Sequence, residues 1–496
     1  MLYCRCCSTF LGLHKSGIHR HIIAKKHREA HTRWNDNKAK RQQTMQSIKA
    51  YQEETEVQGL TNCTEVEAIF KHDVVFSYCK SGDPINSVDA HHDLLVKYGY
   101  ALPHSAHLKF NPLIVRNECQ ELLDEFKDRK VGVVFDGASW VGECLVVVFR
   151  AVRDDWTILQ RVVKVNLLAK SMDNRHIKAE LVECILGDMR KSFRDVIGFS
   201  YDRASANKKA ITALLLDFNL SHGVPCIPHS FDRVGVNFKA PRARRFFGLL
   251  QSLLGLSPNA RLLWELKLGF TWPDPSDTRW WSLYETYVYM LLHGEGIETF
   301  IIDGYDRDFL LGSENMKKLF TLVFLDNETE LTDALEIVAL VEGARPFVQA
   351  CYFMEGDGLL ILHAHDCIKW VQNVVQNAQY PCIDEWINKY ALLDVPPAQQ
   401  MAKRLEYKMF CINVLGKGYD YFNKVFIEPT GDVGKHLDMF KACRMLNPGF
   451  VKSHCHNPQT LQEHTRLLRH TLKFMDDVRL EGLLRELPEY IRLAED

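Results

Sequence analysis

The sequence predicts an α/β protein with a strand-rich middle section, a long helical section behind it and a small module in front. Short runs of β-branched and aromatic residues alternate with turn residues between positions 131 and 200, which is typical of strands. Apolar residues recur every three or four positions over most of 294–451, which is typical of helices. Cysteines and histidines cluster within the first 27 residues. Each of these sections predicts a separate structural unit.

The composition is that of a folded protein. A chain of 496 residues has room for two to four domains, and 46% hydrophobic against 25% charged residues excludes a wholly disordered chain. No apolar run approaches the ~20 residues of a membrane helix. The 15 cysteines are odd in number and scattered, which favours a reducing compartment. We expect neither a membrane nor a small-molecule substrate among the partners.

Charge is distributed unevenly along the chain. The formal net charge is −2, but the first 50 residues carry eleven Lys and Arg against two acids, which leaves the remainder strongly acidic. A basic head on an acidic body favours nucleic-acid binding or nuclear import at that end. The alternative is a solvated basic tail.

The head has the ligand spacing of a zinc finger. Cys4 and Cys7 are separated by two residues, and His21 and His27 follow at distances expected for a Cys2His2 site. Such a small module cannot bury a core that folds without a metal. The rival ligands are Cys6 and His19. We therefore expect one Zn²⁺, which either serves DNA binding or acts only as a folding clip.

The predicted finger helix, 16–28, would present a basic face to the major groove or to phosphates of double-stranded DNA. Its candidate DNA contacts are Lys15, Arg20, Lys25, Lys26 and Arg28. The polar linker behind it contains the basic cluster 38–41, a weak signal for nuclear localisation. These features predict a nuclear protein.

The middle section predicts a sheet with acids at two strand ends. The predicted strands are 131–135, 145–149, 162–167 and 196–200, with helices at 176–193 and 204–218. Three antiparallel strands, a helix and a fourth strand match the opening of an RNase H-like sheet. Asp136 and Asp202 would then lie at neighbouring strand ends, where two carboxylates suit Mg²⁺ or Mn²⁺. Either aspartate alone would be an ordinary turn residue.

Four motifs in order resemble the hAT family of DNA transposases. They are Phe135-Asp136-Gly137-Ala138-Ser139, Tyr201-Asp202-Arg203-Ala204-Ser205-Ala206-Asn207, Cys226-Ile227-Pro228-His229 and Thr278-Arg279-Trp280-Trp281. The finger resembles that of the CGG triplet repeat-binding proteins, which are relatives of this family. The resemblance implies that Asp136 and Asp202 are the first two catalytic acids, the second followed by Asn207.

Further roles follow from the same resemblance. Cys226 and His229 match a Cys-x-x-His element beside the catalytic pocket, and Arg279 and Trp280 match residues that grip DNA near the cleavage point. Read without the family, the first pair could be a buried thiol and a core histidine. Trp280 and Trp281 could equally be core residues at the start of a helix at 282–292.

The resemblance fails at the third catalytic acid. The family carries it in a motif of the form S-x-A-E-R-x-F-S within a dimerisation region, and no such motif follows the predicted helix 461–487. We therefore expect Asp136 and Asp202 to be vestigial, without transposase activity. Three alternatives stay open: a transposase-derived DNA-binding regulator of transcription, a transposase with a truncated C-terminus, and a protein-interaction scaffold. A homodimer is a further expectation.

The predicted organisation has six parts. They are a zinc finger at 1–35, a basic linker at 36–52, a small helical domain at 53–129, an RNase H-like core at 130–293, an all-helical insertion at 294–450 and a return to the core at 451–496.

Overall fold

The computed structural model divides the chain into two compact units, Met1–Lys127 and Asp128–Asp496. The residues that the structure describes are 2–4, 9–11, 70–71, 73–75, 77–78, 85–97, 104–108, 112–139, 143–155, 157–168, 172–273, 279–306, 313–325, 327–356, 358–454 and 457–495.

In the first unit a short antiparallel ribbon precedes a group of helices. Strands β1 (Leu2–Cys4) and β2 (Thr9–Leu11) pair so that Cys4 lies opposite Thr9. The described residues between 70 and 78 are helical, and the described part of the unit continues with a 3₁₀ turn (Ile85–His91) and the helices α1 (His92–Lys97), α2 (Ser105–Leu108) and α3 (Pro112–Phe126). Of the predicted zinc ligands only Cys4 is described, as the last residue of β1. Cys7, His21 and His27 lie outside the described residues, as do the candidate DNA contacts Lys15, Arg20, Lys25, Lys26 and Arg28.

The second unit opens with a five-stranded mixed sheet, which confirms the α/β class. The strands are β3 (Val131–Ser139), β4 (Glu143–Val152), β5 (Ile158–Leu168), β6 (Val196–Tyr201) and β7 (His222–Pro225). Their spatial order is β5-β4-β3-β6-β7. The first three are antiparallel neighbours, whereas β6 runs parallel to β3 and β7 runs parallel to β6.

Alternation of burial explains why these segments form strands. Val131, Val133 and Phe135 are at most 2% exposed, while the residues between them are half-buried. Successive side chains of a strand point to opposite faces, so one face of β3 is packed in the core. The four predicted strands are present, and β7 is an additional one. The first of them is longer than predicted: β3 continues four residues past Phe135 because it stays paired with β4, so Asp136 lies within the strand and not at its end. At four residues with a Gly and a Pro, it is too short for the period-two signal.

Two helices connect the strands of this sheet. Helix α4 (Asn174–Val182) begins at a cap in which the Asp173 side chain accepts the N–H groups of Arg175 and His176, and it continues as a π-helical turn to Asp188. The helix predicted over 176–193 therefore ends five residues early. Helix α5 (Ser205–Asp217) follows β6, close to the predicted bounds.

The rest of the second unit is helical throughout its described residues. The helices are α6 (Ile227–Asn237), α7 (Pro241–Leu256), α8 (Pro258–Leu268), α9 (Trp280–Leu292), α10 (Gly294–Asp306), α11 (Glu314–Phe320), α12 (Asn327–Gly343), α13 (Arg345–Glu355), α14 (Ile361–Gln376), α15 (Pro381–Trp386), α16 (Pro397–Phe422), α17 (Leu437–Cys443), α18 (Pro448–His454), α19 (Pro458–Thr471) and α20 (Asp477–Glu495). π-Helical turns extend α11, α15 and α16, and 3₁₀ turns flank α17. One apolar core reaches from Ile227 to Leu487. No helix in the described ranges is long and apolar enough to cross a membrane.

Two helix predictions are wrong in their bounds. The helix expected from Ser282 begins at Trp280. The single helix expected over 461–487 is two helices, α19 and α20, with a break between them. At that break the backbone N–H of Lys473 donates to Nε2 of His222, 3.0 Å away, and the ring of Phe474 packs edge-on against His222. The C-terminal helices thereby contact β7, the edge strand of the sheet.

Candidate functional site

Asp136 lies within β3 and Asp202 directly follows β6, at adjacent positions of two parallel strands. In the register of β3 and β6, Phe135 is opposite Tyr201, and each aspartate is the next residue along its chain. The rings of Phe135 and Tyr201, the residues just before the two aspartates, are stacked with centroids 6.3 Å apart. This stacking holds β3 and β6 in register next to the aspartates. The structure thus brings together the two acids that the sequence analysis selected.

Local hydrogen bonds orient both carboxylates. Asp136 Oδ1 accepts the N–H of Gly137 at 2.9 Å. Asp202 Oδ1 accepts the N–H of Ala204 at 3.0 Å and a short bond from the side-chain amide of Asn207. Asn207 is 7% exposed on the first turn of α5, so its amide holds Asp202 from a fixed position. Asn207 therefore positions the second aspartate.

His229 faces this pair of acids from the first turn of α6. Burial lowers the pKa of His229 and Arg279 lowers it further, whereas Asp136 and Asp202 act in the opposite direction. Its Nδ1 is buried and makes no hydrogen bond within the described residues. Burial likewise raises the pKa of the Cys226 thiol, which keeps it protonated near neutral pH. The two motif residues thus lie near Asp136 as a neutral thiol and a neutral imidazole.

Arg279 places a cation near Cys226 and His229. Its Nη1 lies 3.7 Å from Glu355 Oε1 at the end of α13, and its guanidinium lies over the ring of Trp281, 4.7 Å from the centroid. Stacking on an aromatic face and pairing with a carboxylate both fix the guanidinium plane. Arg279 therefore has a defined orientation beside His229.

Trp280 lies in the core instead. It is 8% exposed and packs against Phe238 and Tyr284, with ring centroids 5.7 and 6.1 Å away. Its backbone N–H donates to the buried carboxylate of Asp232 at 2.6 Å. An unpaired base could not reach this ring without displacing its neighbours. Its burial favours the prediction that Trp280 is a core residue over the prediction that it stacks on DNA. The aromatic side chain that contacts Arg279 is the half-buried Trp281.

A second charged cluster adjoins Asp202. Arg203 and Lys208, which flank Asp202 and Asn207 in the chain, both form ion pairs with Asp432 from the loop after α16. Arg203 also donates to the hydroxyl of Tyr421 near the end of α16. The helical section thereby contacts the strand end that carries Asp202.

The donor set suits one divalent cation better than two. Asp136 Oδ2 and Asp202 Oδ2 make no hydrogen bond within the described residues, and Mg²⁺ is often held by one or two carboxylates with water and phosphate oxygens. No group of three or more His, Cys, Asp or Glu side chains that could hold a metal is formed by the described residues. Asp136 and Asp202 could together hold one such ion.

No protein-family model matches this chain, and no curated protein matches it. The candidate site is therefore inferred from the positions and contacts of its own residues.

Several site residues carry no signal in the sequence. Asp232, Glu355 and Asp432 reach the site from positions between 30 and 230 residues distant from Asp202, across helix packing that spacing does not encode. In the sequence, Arg203 and Lys208 stand out only because they directly follow Asp202 and Asn207.

Proposed function

We propose that the chain is a nuclear DNA-binding protein derived from a hAT transposase, with a zinc finger at 1–35 and an RNase H-like domain that does not cut DNA. The observation that supports this most is the sheet order β5-β4-β3-β6-β7, with Asp136 within β3 adjacent to Asp202, which follows β6. Three antiparallel strands followed by two parallel ones are the arrangement expected of an RNase H-like fold.

The arrangement of side chains around the two acids agrees with the family resemblance. Asn207 holds Asp202, and His229 lies close enough to Arg279 and to both aspartates for their charges to shift its pKa. Asp202, Asn207, His229 and Arg279 come from three of the motifs that resemble hAT transposases. Double-stranded DNA is the partner that this resemblance and the basic head both favour, and a homodimer would extend a single finger's limited base readout.

The retained acids supply fewer ligands than phosphoryl transfer requires. A two-metal site stabilises the attacking and the leaving oxygen with separate ions, and misplacement by ~1 Å can cost about 10²-fold in rate. Asp136 and Asp202 would share one Mg²⁺ or Mn²⁺. Regulation of transcription, with DNA held but not cut, is the role that we assign.

DNA binding by the full chain tests this proposal. The basic head should engage ~4–6 phosphates of duplex DNA, so the slope of log affinity against log salt should be roughly −4 to −5. Replacement of one predicted zinc ligand, Cys4→Ser, should unfold the finger and remove most of the affinity and most of the slope. A Cys4→Ser variant with unchanged affinity and slope would refute DNA binding by the finger.

A further inference from the structure

We propose that Arg203 and Lys208 form a binding site for a phosphate group, which the carboxylate of Asp432 fills from within the chain. The inference rests on the proposed function in one respect: the phosphate group is taken to be that of a DNA backbone. The site lies in the second unit, next to Asp202.

The donors converge as they would on a phosphate oxygen. Arg203 directs Nε and Nη2 at Asp432 Oδ2, at 2.9 and 2.5 Å, and Lys208 Nζ also donates to that oxygen. Three charged donors on one oxygen is the geometry of anion recognition, and an arginine fork suits phosphate as well as carboxylate. A single carboxylate neutralises only one of the two cations.

The position of Lys208 is a second reason to expect a bound anion at this cluster. Lys208 lies in the first turn of α5, whose positive end already disfavours a cation there. Burial alone would raise the pKa of Asp432, but Lys208 and Arg203 hold that pKa below its ordinary value. Asp432 is therefore ionised near neutral pH and acts as a built-in anion.

Close backbone contacts hold the loop that carries Asp432 in one conformation. A Cβ at Gly431 would lie 2.4 Å from the carbonyl oxygen of Lys424, and one at Gly434 would lie 2.0 Å from that of Glu428, so glycine is required at both positions. The N–H of Val433 also donates to the carbonyl of Val425 at 3.0 Å. Because this backbone is fixed, a phosphate can enter when the Asp432 side chain alone rotates away.

The cluster adjoins Asp202. Arg203 follows Asp202 directly, and Lys208 follows Asn207, whose amide holds Asp202. Asp432 is 30% and Lys208 36% exposed in their side chains, so the pair is open to solvent. Asp432 thus lowers the affinity of this strand end for phosphates until DNA replaces it.

The test is the full chain with Asp432→Asn, which removes the internal anion and keeps the side-chain size. Its matched control is Glu463→Gln, which removes one negative charge and breaks the Lys441–Glu463 ion pair, 2.7 Å long, between α17 and α19. Asp432→Asn should bind duplex DNA about 3–10-fold more tightly than the control near 0.1 M salt, with a salt slope steeper by about 1 to 2. Adding Lys208→Gln should reverse most of that gain.

A second arm uses inorganic phosphate in place of DNA, at constant ionic strength set with chloride. Phosphate should raise the melting temperature of Asp432→Asn by at least ~2 °C more than that of Glu463→Gln. A response to phosphate without one to DNA would keep the site and refute its DNA ligand, and a failure of Cys4→Ser to weaken DNA binding would refute the finger alone. Equal behaviour of Asp432→Asn and Glu463→Gln in both arms overturns the proposal. Asp432→Ser serves as the second variant if Asp432→Asn does not fold.

Discussion

At the scale of single residues, Gly235 on α6 and Trp280 on α9 show how closely these two helices pack beside the candidate site. A Cβ at Gly235 in α6 would lie 2.0 Å from Cδ2 of the buried Trp280 indole. The start of α9 is also tied to α6, since the backbone N–H of Trp280 donates to Asp232. The absence of a side chain at position 235 therefore determines how closely α6 and α9 approach, and with it where Arg279 lies.

Gly235→Ala should destabilise the protein by about 2–3 kcal/mol, because the added methyl group must displace a buried indole. Gly248→Ala is the matched control, since Gly248 is also helical and a Cβ there would meet nothing within 4 Å. That control should stabilise by about 0.5–1 kcal/mol through helix propensity. The free energy of unfolding in urea measures both, and equal effects would contradict this packing.

Carboxylates from distant residues cap three helices. Asp232 caps α9, Glu336 accepts the N–H groups of Arg242 and Ala243 at the start of α7, and Glu342 accepts those at the start of α15. Local capping residues are recognisable in a sequence, but these caps lie 40 to 94 residues away. This explains why the start of α9 at Trp280 could not be predicted.

At the scale of elements, the junction of β7 with the C-terminal helices depends on two neutral histidines. His222 on β7 accepts the N–H of Lys473, and burial together with Lys473 lowers the pKa of His222 to about 4. Burial, Lys435 and His222 lower the pKa of His436, in the 3₁₀ turn before α17, to about 4. Both rings are therefore uncharged in the folded protein above pH ~5.

Stability should fall as the pH drops from about 6.5 towards 4. In that window the unfolded chain, with ordinary histidine pKa values, binds protons that the folded chain does not, so acid favours unfolding. Allowing for solvent screening at the half-buried His222, the pair should cost roughly 1–2 kcal/mol between pH 7 and 5. Urea unfolding at both pH values checks this, with His436→Gln expected to reduce the difference and an unchanged difference counting against the junction.

The elements that could be predicted are those whose signal is local. The strands at 131–135 and 196–200 and the helix at 204–218 follow from apolar periodicity and turn residues, and the Asp136–Asp202 pair follows from the strand ends. The break between α19 and α20 could not be predicted, because apolar residues continue through it and the Lys473–His222 contact interrupts the helix. Likewise, Asp432 reaches Arg203 across 229 residues.

At the scale of the whole molecule, we propose that the head binds DNA and needs zinc to do so. Cobalt substitution of the full chain should give the absorption of a tetrahedral thiolate site, with Cys4, Cys7, His21 and His27 as ligands. Removing the metal with a chelator should abolish most DNA affinity while the second unit stays folded. A Cys4→Ser variant that retains the cobalt spectrum would contradict the ligand assignment.

We predict that the second unit resembles a transposase domain but does not cut DNA. The two retained acids can serve one ion, and phosphoryl transfer at a two-metal site needs carboxylates on both. The direct measurement is incubation of the full chain with Mn²⁺ and DNA that carries candidate terminal repeats, with Asp136→Ala in parallel. We predict no strand cleavage above the level of Asp136→Ala, whereas cleavage by the native chain that Asp136→Ala abolishes would contradict the account and make this protein an enzyme.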